Sequence, residues 1–154
     1  MRLRIIICHI LLLCMPGVLS AQKEYVGKTD KLSVHPRILL PKGEEKELKK
    51  QIRKDAIWTD VHMALLEEAD SIIQQPLNEC VIIGWRLLDV SRDNLRRIFI
   101  LSYAYRMTGN VRFAKRAEAE MLQAASFPDW NPQHFLDVGE MTMALAIGYD
   151  WLYD

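Results

Sequence analysis

Apolar residues recur at helical spacing along most of this chain. The spacing predicts a short charged helix over 43–54, a longer helix over 57–75, and two more over 91–107 and 111–126. Pro76 ends the second of these, because a proline ring cannot continue a helix. No two segments alternate between apolar and polar residues as paired strands do. The sequence therefore predicts an all-α fold.

The connection at residues 108–110 carries two signals for a tight turn between helices. Gly109 suits the left-handed conformation that follows a helix, and Asn110 can cap the helix after it. Connections this short join antiparallel neighbours, so we expect helical hairpins. The second helix of this hairpin should turn small and apolar residues inward, namely Ala114, Ala117, Met121, Ala124 and Ala125.

Residues 77–90 give a weaker pattern. Val81-Ile82-Ile83 is strand-like by itself, but together with the residues up to Leu88 it favours an irregular or short helical link. Ser91 fits the N-cap of the next helix, because its hydroxyl can accept a hydrogen bond from a backbone N–H of the first turn.

The segment Asp129–Tyr153 predicts one long helix with a defined start. Asn131 fits the N-cap and Pro132 the first helical position, where a missing N–H costs nothing. From Phe135 onward apolar residues cover nearly the whole circumference, which is typical of a buried helix. We expect an inner helix that these residues alone cannot fully cover, and that presents a polar end to a cavity through His134, Asp137 and Glu140.

The first 21 residues have the order of a secretory signal peptide. Two arginines precede an apolar run over 5–15, and small residues follow at Ser20 and Ala21. A spanning helix needs about 20 apolar residues, more than this run offers; an uncleaved membrane anchor is the alternative. We expect export to the periplasm or the cell exterior, with no membrane span after cleavage. An extended leader over 22–42 should then precede a helical domain over 43–154.

The cysteines indicate neither a disulfide framework nor lipidation. Cys14 could be the lipidated residue of a lipoprotein, but Leu13 stands where such a site prefers a small residue. After cleavage Cys80 is alone, so no internal disulfide can form. We expect Cys80 to be a small buried hydrophobe.

The charge balance excludes a global attraction to nucleic acid or to anionic membranes. The 154 residues carry 20 basic and 20 acidic side chains, and loss of the two signal-peptide arginines leaves a net charge near −2. Within 84–117, however, only Asp89 and Asp93 oppose a group of basic residues. This stretch is either a surface for polyanions or the solvated faces of two helices. Its basic residues are Arg86, Arg92, Arg96, Arg97, Arg106, Arg112, Lys115 and Arg116.

Five segments carry a resemblance to a known family. In order along the chain they are HPRILL at 35–40, LLDVSR at 87–92, LRRI at 95–98, LSYAYRMTG at 101–109 and, most specifically, 129–154. At this order and spacing they resemble the N-terminal region of heparinase II/III-type polysaccharide lyases. The resemblance covers essentially the whole mature chain.

The resemblance implies an incomplete α/α toroid, with inner and outer rings of helices, followed in full-length relatives by β-sandwich domains. It also implies binding of acidic, uronic-acid-containing polysaccharides of the heparin or heparan sulfate type, and their cleavage by β-elimination. Removing the weakly acidic proton beside the carboxylate requires neutralisation of that carboxylate, stabilised enolate charge, and a Tyr or His as base and acid.

In the family those catalytic groups lie beyond the region that matches this chain. The candidate side chains here match none of the motifs that hold them, so we assign no catalytic residue; they are Tyr103, Tyr105, Tyr149, His62 and His134. We therefore expect an N-terminal fragment of a lyase that is inactive alone.

Three residues at the start of the last predicted helix are candidate substrate contacts. Trp130 offers a flat apolar face for a pyranose ring, Asn131 offers donor and acceptor groups, and His134 lies beside them. The alternative is structural: Asn131 caps, Trp130 fixes the turn, and His134 and Asp137 hydrogen-bond inside the core. His134, Asp137 and Glu140 diverge around the helix and lack a completing Cys or second His, so we expect no metal and no cofactor.

A non-catalytic helical-repeat module that binds carbohydrate or protein is the second function class. The hairpin over 103–125, with its glycine turn and inward alanines, is similar to a tetratricopeptide unit. Such repeats recur at about 34 residues, and no neighbouring segment repeats the pattern. The reading frame after Asp154 distinguishes the two: Tyr and His motifs followed by β-rich sequence support a lyase, and repeated helical hairpins support a module.

Overall fold

The regular structure is entirely helical in residues 34–153, the part of the chain that the computed structural model describes. The five helices are α1 (Glu45–Lys54), α2 (Ala56–Gln74), α3 (Leu88–Thr108), α4 (Val111–Ala125) and α5 (Phe135–Trp151). The predicted all-α class is confirmed. The predicted signal peptide lies outside the described residues. None of the five helices has both the length and the apolar character needed to cross a bilayer.

The hairpin of α3 and α4 forms as its turn residues predict. Gly109 ends α3 in the left-handed conformation at φ +73°, and its N–H donates to the carbonyl of Tyr105 at 2.7 Å. The side chain of Asn110 then accepts from the backbone N–H of Arg112 at 3.2 Å. A glycine after one helix and an asparagine before the next thus join the two with two residues between them.

Helix α3 begins at Leu88, so the prediction of Ser91 as its N-cap is wrong. Ser91 is buried, and its hydroxyl contacts the Leu88 carbonyl at 3.1 Å and the Glu140 carboxylate at 2.6 Å. The cap is supplied from another helix instead. The carboxylate of Asp137, on α5, accepts the N–H of Leu87 at 2.8 Å.

The predicted start of α5 is also wrong. The helix begins at Phe135, four residues after the proposed N-cap Asn131 and three after Pro132. Asn131 has φ +53°, a left-handed conformation instead of the extended one that an N-cap requires. Its side chain is engaged across the chain, as described below, so it cannot cap α5.

Helices α3 and α5 run parallel, with α4 antiparallel to α3 in the chain between them. At one end of the pair Asp137 accepts the N–H of Leu87, which joins the two N-termini. At the other end the Arg106 guanidinium lies 4.8 Å from the centre of the Trp151 ring, which joins the two C-terminal turns. Helix α3 also packs against α2, so it lies at the centre of the described unit.

Burial of α5 is one-sided. Its inner face is fully or almost fully buried at Met141, Ala144, Ile147 and Trp151. The opposite face carries large apolar side chains that are about half exposed or more: Phe135, Leu136, Met143 and Tyr149. The incomplete cover expected from the sequence is therefore present within residues 34–153.

Two side chains predicted to be buried are exposed, namely Ala125 at the end of α4 and Cys80 in the irregular link between α2 and α3. The first turns of α2 also leave Trp58 and Val61 exposed. The buried part of α2 is instead its C-terminal half, at Ala69 and Ile72. Helical periodicity identifies an apolar face but not how far a neighbouring helix extends along it, which explains these errors.

Candidate functional site

A tight turn in the α2–α3 link places one tryptophan on the surface. Ile83 and Arg86 exchange backbone hydrogen bonds of 2.9 and 3.2 Å, so only Gly84 and Trp85 lie between them. Gly84 has φ +66°, which a two-residue hairpin turn requires at its first central position. The Trp85 side chain is 80% exposed, the largest exposure of any tryptophan in residues 34–153.

The turn is held by the segment before α5. The Asn131 side-chain amide donates to the Trp85 carbonyl and to the Asp137 carboxylate, each at 2.8 Å. The same carboxylate accepts the Leu87 N–H, two residues beyond Trp85. The turn, the chain around Asn131 and the start of α5 therefore form one hydrogen-bonded unit.

Asp137 is the centre of that unit and is completely buried. Burial acts to raise the pKa of its carboxyl group, but hydrogen bonds from Leu87 and Asn131 and the nearby His134 outweigh it and lower the pKa. Nδ1 of His134 lies 2.9 Å from Asp137 Oδ1, although the two atoms are not aligned for a hydrogen bond. Asp137 is therefore a carboxylate at neutral pH.

The structure brings the three predicted substrate contacts together at the start of α5. The Trp130 indole N–H donates to the Ala124 carbonyl at 2.9 Å, and the Trp130 ring packs on the core cluster that contains Phe127. Asn131 and His134 contact Asp137. The contacts of Trp130 fit the structural alternative, whereas Asn131 does not cap α5 as that alternative expected. Binding of a glycan by these three residues stays a prediction.

Sequence analysis missed Trp85 as a functional candidate. The signal was present, because a glycine followed by one residue between apolar and basic positions is a known hairpin-turn pattern. The α2–α3 link also leaves Val81, Ile82 and Ile83 about half exposed or more.

Most of the basic stretch is paired with acids from elsewhere in the chain. Six of its eight basic side chains form ion pairs, several with residues of other helices, and Arg86 and Lys115 form none within residues 34–153. The stretch as a whole is therefore neither a free surface for polyanions nor a set of solvated helix faces, the two interpretations that the sequence left open. The long-range acidic partners are Glu45, Glu68, Asp70, Glu120 and Glu140.

Two of these arginines hold the end of α2. Arg97 and Arg116 both contact the buried carboxylate of Glu120, at 3.2 and 2.7 Å. Arg97 also donates to the Pro76 carbonyl at 2.7 Å, and Arg116 to the Gln75 carbonyl at 2.7 Å. The two guanidinium groups therefore satisfy carbonyls that the end of a helix leaves without partners.

A second buried carboxylate fastens the HPR segment. Asp150 Oδ1 lies 2.6 Å from His35 Nδ1, and Asp150 Oδ2 accepts the N–H groups of Arg37 and Ile38 at 2.8 and 3.0 Å. Burial opposes ionisation, but these donors outweigh it and lower the pKa of Asp150. The His35 ring stacks on the Tyr153 ring with centres 4.0 Å apart.

A groove of about 580 Å³ runs between α4 and α5. Its walls are mostly apolar and include exposed Val111 and Leu122 from α4 and Tyr149 and Tyr153 from the other side. Lys115 and Glu118 provide charges at its edge. The groove continues the uncovered face of α5.

A metal site and a general base at Tyr103 each set requirements for the side chains of the described residues. No three His, Cys, Asp or Glu side chains within residues 34–153 lie close enough to hold a metal ion. His62 Nδ1 lies 2.9 Å from the Tyr103 hydroxyl, but burial raises the pKa of Tyr103 and, with the charge of Lys49, lowers that of His62. A general base for a weak C–H acid requires an accessible group that ionises near neutral pH, and Tyr103 is buried.

No model of a known protein family matches this chain, and no curated protein matches it either.

Proposed function

We propose that this chain forms the N-terminal helical part of an exported polysaccharide lyase that acts on uronic-acid-containing polysaccharides. The observation that carries the proposal is the direct parallel packing of α3 and α5, which α4 connects in the chain and which the bond between Asp137 and Leu87 joins at one end. An incomplete α/α toroid is built from such hairpins, with parallel helices forming its inner ring. The buried face of α5 packs against α3 as neighbouring inner helices would.

The residues of the most specific segment support a shared architecture. Within 129–154, Asn131 fixes the turn, Asp137 caps α3 and Asp150 fastens the HPR segment at 35–37. Two of the segments that carry the resemblance are therefore in direct contact. Because fold and function are separable, the lyase activity is proposed by analogy with the family, and the toroid is proposed from the parallel packing of α3 and α5.

The chemistry proposed for the whole enzyme is β-elimination. A base removes the proton beside the uronate carboxylate, the electron pair forms the double bond, and the 4-linked sugar leaves with a proton from a general acid. No residue of 34–153 receives one of these roles. The part proposed for this chain is to bind and position the acidic glycan.

Export is part of the proposal. Residues 1–21 would direct the chain to the periplasm or the cell exterior, where acidic polysaccharides of high molecular weight are accessible. The mature chain would then begin near Gln22. Retention of the chain in the cytoplasm after expression with its own N-terminus would contradict this step.

One observation also favours the alternative of a non-catalytic binding module. Parallel alternate helices with a glycine turn at Gly109 are the geometry of helical-repeat solenoids as well as of toroids. The two proposals differ in the ligand where the module binds protein and not carbohydrate. A solenoid that binds proteins has no reason to prefer uronic acid over neutral sugars.

Affinity electrophoresis tests the proposal. The exported chain should migrate more slowly in gels containing heparin, heparan sulfate or alginate than in gels containing neutral dextran. It should produce no rise in ultraviolet absorbance from unsaturated uronate with the same polymers. Equal migration in all gels would exclude glycan binding, and clear turnover would show that catalytic groups lie within this chain after all.

A further inference from the structure

We propose that the Trp85–Arg86 turn is a binding site for an acidic sugar, in which the Trp85 ring stacks on a pyranose and the Arg86 guanidinium pairs with its carboxylate. The site deepens the proposed function and rests on it, since it names the residues that hold the uronic-acid glycan. It is distinct from the contacts first expected at Trp130, Asn131 and His134.

The exposure of Trp85 has no structural use within the described residues. Four-fifths of the side chain is accessible, and its indole N–H has no acceptor in residues 34–153. By contrast, the indole N–H groups of Trp130 and Trp151 donate to backbone carbonyls at 2.9 Å. An exposed tryptophan leaves a large apolar face in water, so covering it with a ligand is favourable.

The turn is also held in one conformation, which lowers the cost of binding. Reciprocal hydrogen bonds between Ile83 and Arg86 close it, and Asn131 holds the Trp85 carbonyl from the side. Because Leu87 is tied to Asp137, both ends of the Trp85–Arg86 dipeptide are fixed. A preorganised site binds without first losing backbone freedom.

Charge selects the ligand. Arg86 is exposed and forms no ion pair within residues 34–153, unlike Arg92, which pairs with Glu140 at 3.2 Å. A guanidinium presents parallel donors that match a carboxylate. Arg86 also lines a groove of about 260 Å³, in which the other lining residues are Val81, Ile83, Leu88, Asp89 and Val90. Asp89 is the one acidic residue among them.

An exposed aromatic ring followed in the chain by an unpaired guanidinium fits a uronic acid better than the other acidic ligands. A sugar ring has an axial C–H face that lies against an aromatic ring, and a uronic acid carries its carboxylate at the edge of that ring. An acidic peptide has a carboxylate but no such face, and a neutral sugar has the face but no charge. An acidic peptide and a neutral sugar are therefore the comparison ligands in the test.

The test measures binding of alginate and desulfated heparin hexasaccharides to the full exported chain by calorimetry, each beside its carboxyl-reduced form. We expect Trp85→Ala and Arg86→Ala each to weaken binding at least about tenfold. Trp58→Ala, which removes an exposed tryptophan from α2, and Lys115→Ala, which removes another unpaired cation, should leave it unchanged. Because Trp85 and Arg86 are exposed, the variants should keep the melting temperature of the parent chain.

The possible results separate the two proposals. Acidic hexasaccharides that bind equally well to the Trp85→Ala and Arg86→Ala variants would overturn this site and leave the proposed function intact. Equal binding of the carboxyl-reduced forms, preferential binding of a polyglutamate peptide, or no binding of any glycan would overturn the site and the proposed substrate class together.

Discussion

His35 and Asp150 are 115 residues apart in the chain, and His35 Nδ1 lies 2.6 Å from Asp150 Oδ1. The other oxygen of the carboxylate accepts the backbone N–H groups of Arg37 and Ile38. One buried side chain on the last turn of α5 therefore fixes the whole HPR segment. The contact also explains why this short motif belongs to the helical unit, although Pro36 disfavours a helix there.

Asp150→Asn should destabilise the protein. The amide keeps the shape of the side chain, but one of its two ends is a donor that cannot accept from His35 or from the backbone. Hydrogen bonds to charged groups contribute about 1.5–3 kcal/mol each, so we expect the free energy of unfolding to fall by about 2 kcal/mol in urea titrations. Asp70→Asn, which breaks an exposed pair with Arg112, should cost less than about 1 kcal/mol. Equal losses would contradict the role of Asp150.

Stability should also fall on acidification. Hydrogen bonds lower the folded-state pKa of Asp137 and Asp150 although burial opposes them. The pKa of an aspartate in the unfolded chain is about 3.9. Between that value and the lower folded-state pKa the unfolded chain binds more protons, so the free energy of unfolding decreases as the pH falls.

Melting temperatures measured from neutral pH down to about pH 2 test this linkage. The contribution of the two carboxylates should be fully present above their unfolded-state pKa and should be lost as the pH falls through the folded-state pKa. The Asp150→Asn variant lacks one titrating group, so its acid-side decline should be shallower than that of the parent chain. Parallel curves for the two proteins would rule out Asp150 as a source of the effect.

Two glycines of α5 should respond in opposite directions to alanine. A Cβ on Gly148 would lie 2.7 Å from Ile98 Cγ2 and 2.5 Å from Met121 Sδ, so the close approach of three helices depends on this glycine. We expect Gly148→Ala to cost about 1–3 kcal/mol, the usual penalty of overpacking. Gly139 is exposed and a Cβ there meets nothing within 4 Å. Gly139→Ala should therefore add about 0.5–1 kcal/mol in the same denaturation measurement.

Substitution of Asn131 should separate the effect of its side chain from that of its backbone. Asn131→Gly removes the hydrogen bonds to Trp85 and Asp137 but tolerates φ +53°. Asn131→Ala removes the same bonds and adds the strain of a side chain in the left-handed region, about 1 kcal/mol. The alanine variant should be the less stable one, by about that amount, in urea titrations. The reverse order would show that the backbone is relaxed at this position.

The uncovered face of α5 should bind hydrophobic dye and promote association of the protein. Met143 and Tyr149 are 50% and 58% exposed on this face, beside the groove that Leu122 also lines. Exposed apolar patches of this kind promote binding of apolar ligands and association between protein molecules. Replacing both residues with glutamate should reduce dye fluorescence and shift sedimentation toward a monomer. Glutamate at Ser71 and Gln74, exposed polar positions on α2, should change neither measurement.

The parts of the fold that follow from local rules could be read from the sequence. Gly109 and Asn110 form the turn that their types predict, because the left-handed conformation and the side-chain cap are properties of one or two residues. Pro76 follows the end of α2 for the same reason. The order of the helices is likewise a consequence of local periodicity.

The candidate site could not be read in the same way. Asn131 looks like an N-cap by its type and by the proline after it, yet its amide is used 46 residues away, at the Trp85 carbonyl. The basic stretch looks unpaired because its partners, such as Glu68 for Arg96, lie on other helices. The role of a charged group or a hydrogen-bond donor depends on its partner, and partners distant in the chain cannot be identified from local sequence.

The sequence by itself determined which segments of 34–153 form helices and where α2 and α3 end, because these depend on neighbours within a few residues. The tertiary structure decided where α3 and α5 begin, which face of α5 is covered, and that Trp85 is the tryptophan left in water. Those outcomes depend on contacts such as Asp137 with Leu87, which join residues 50 positions apart. A buried carboxylate takes the donors that packing brings to it, and no local pattern specifies which donors those are.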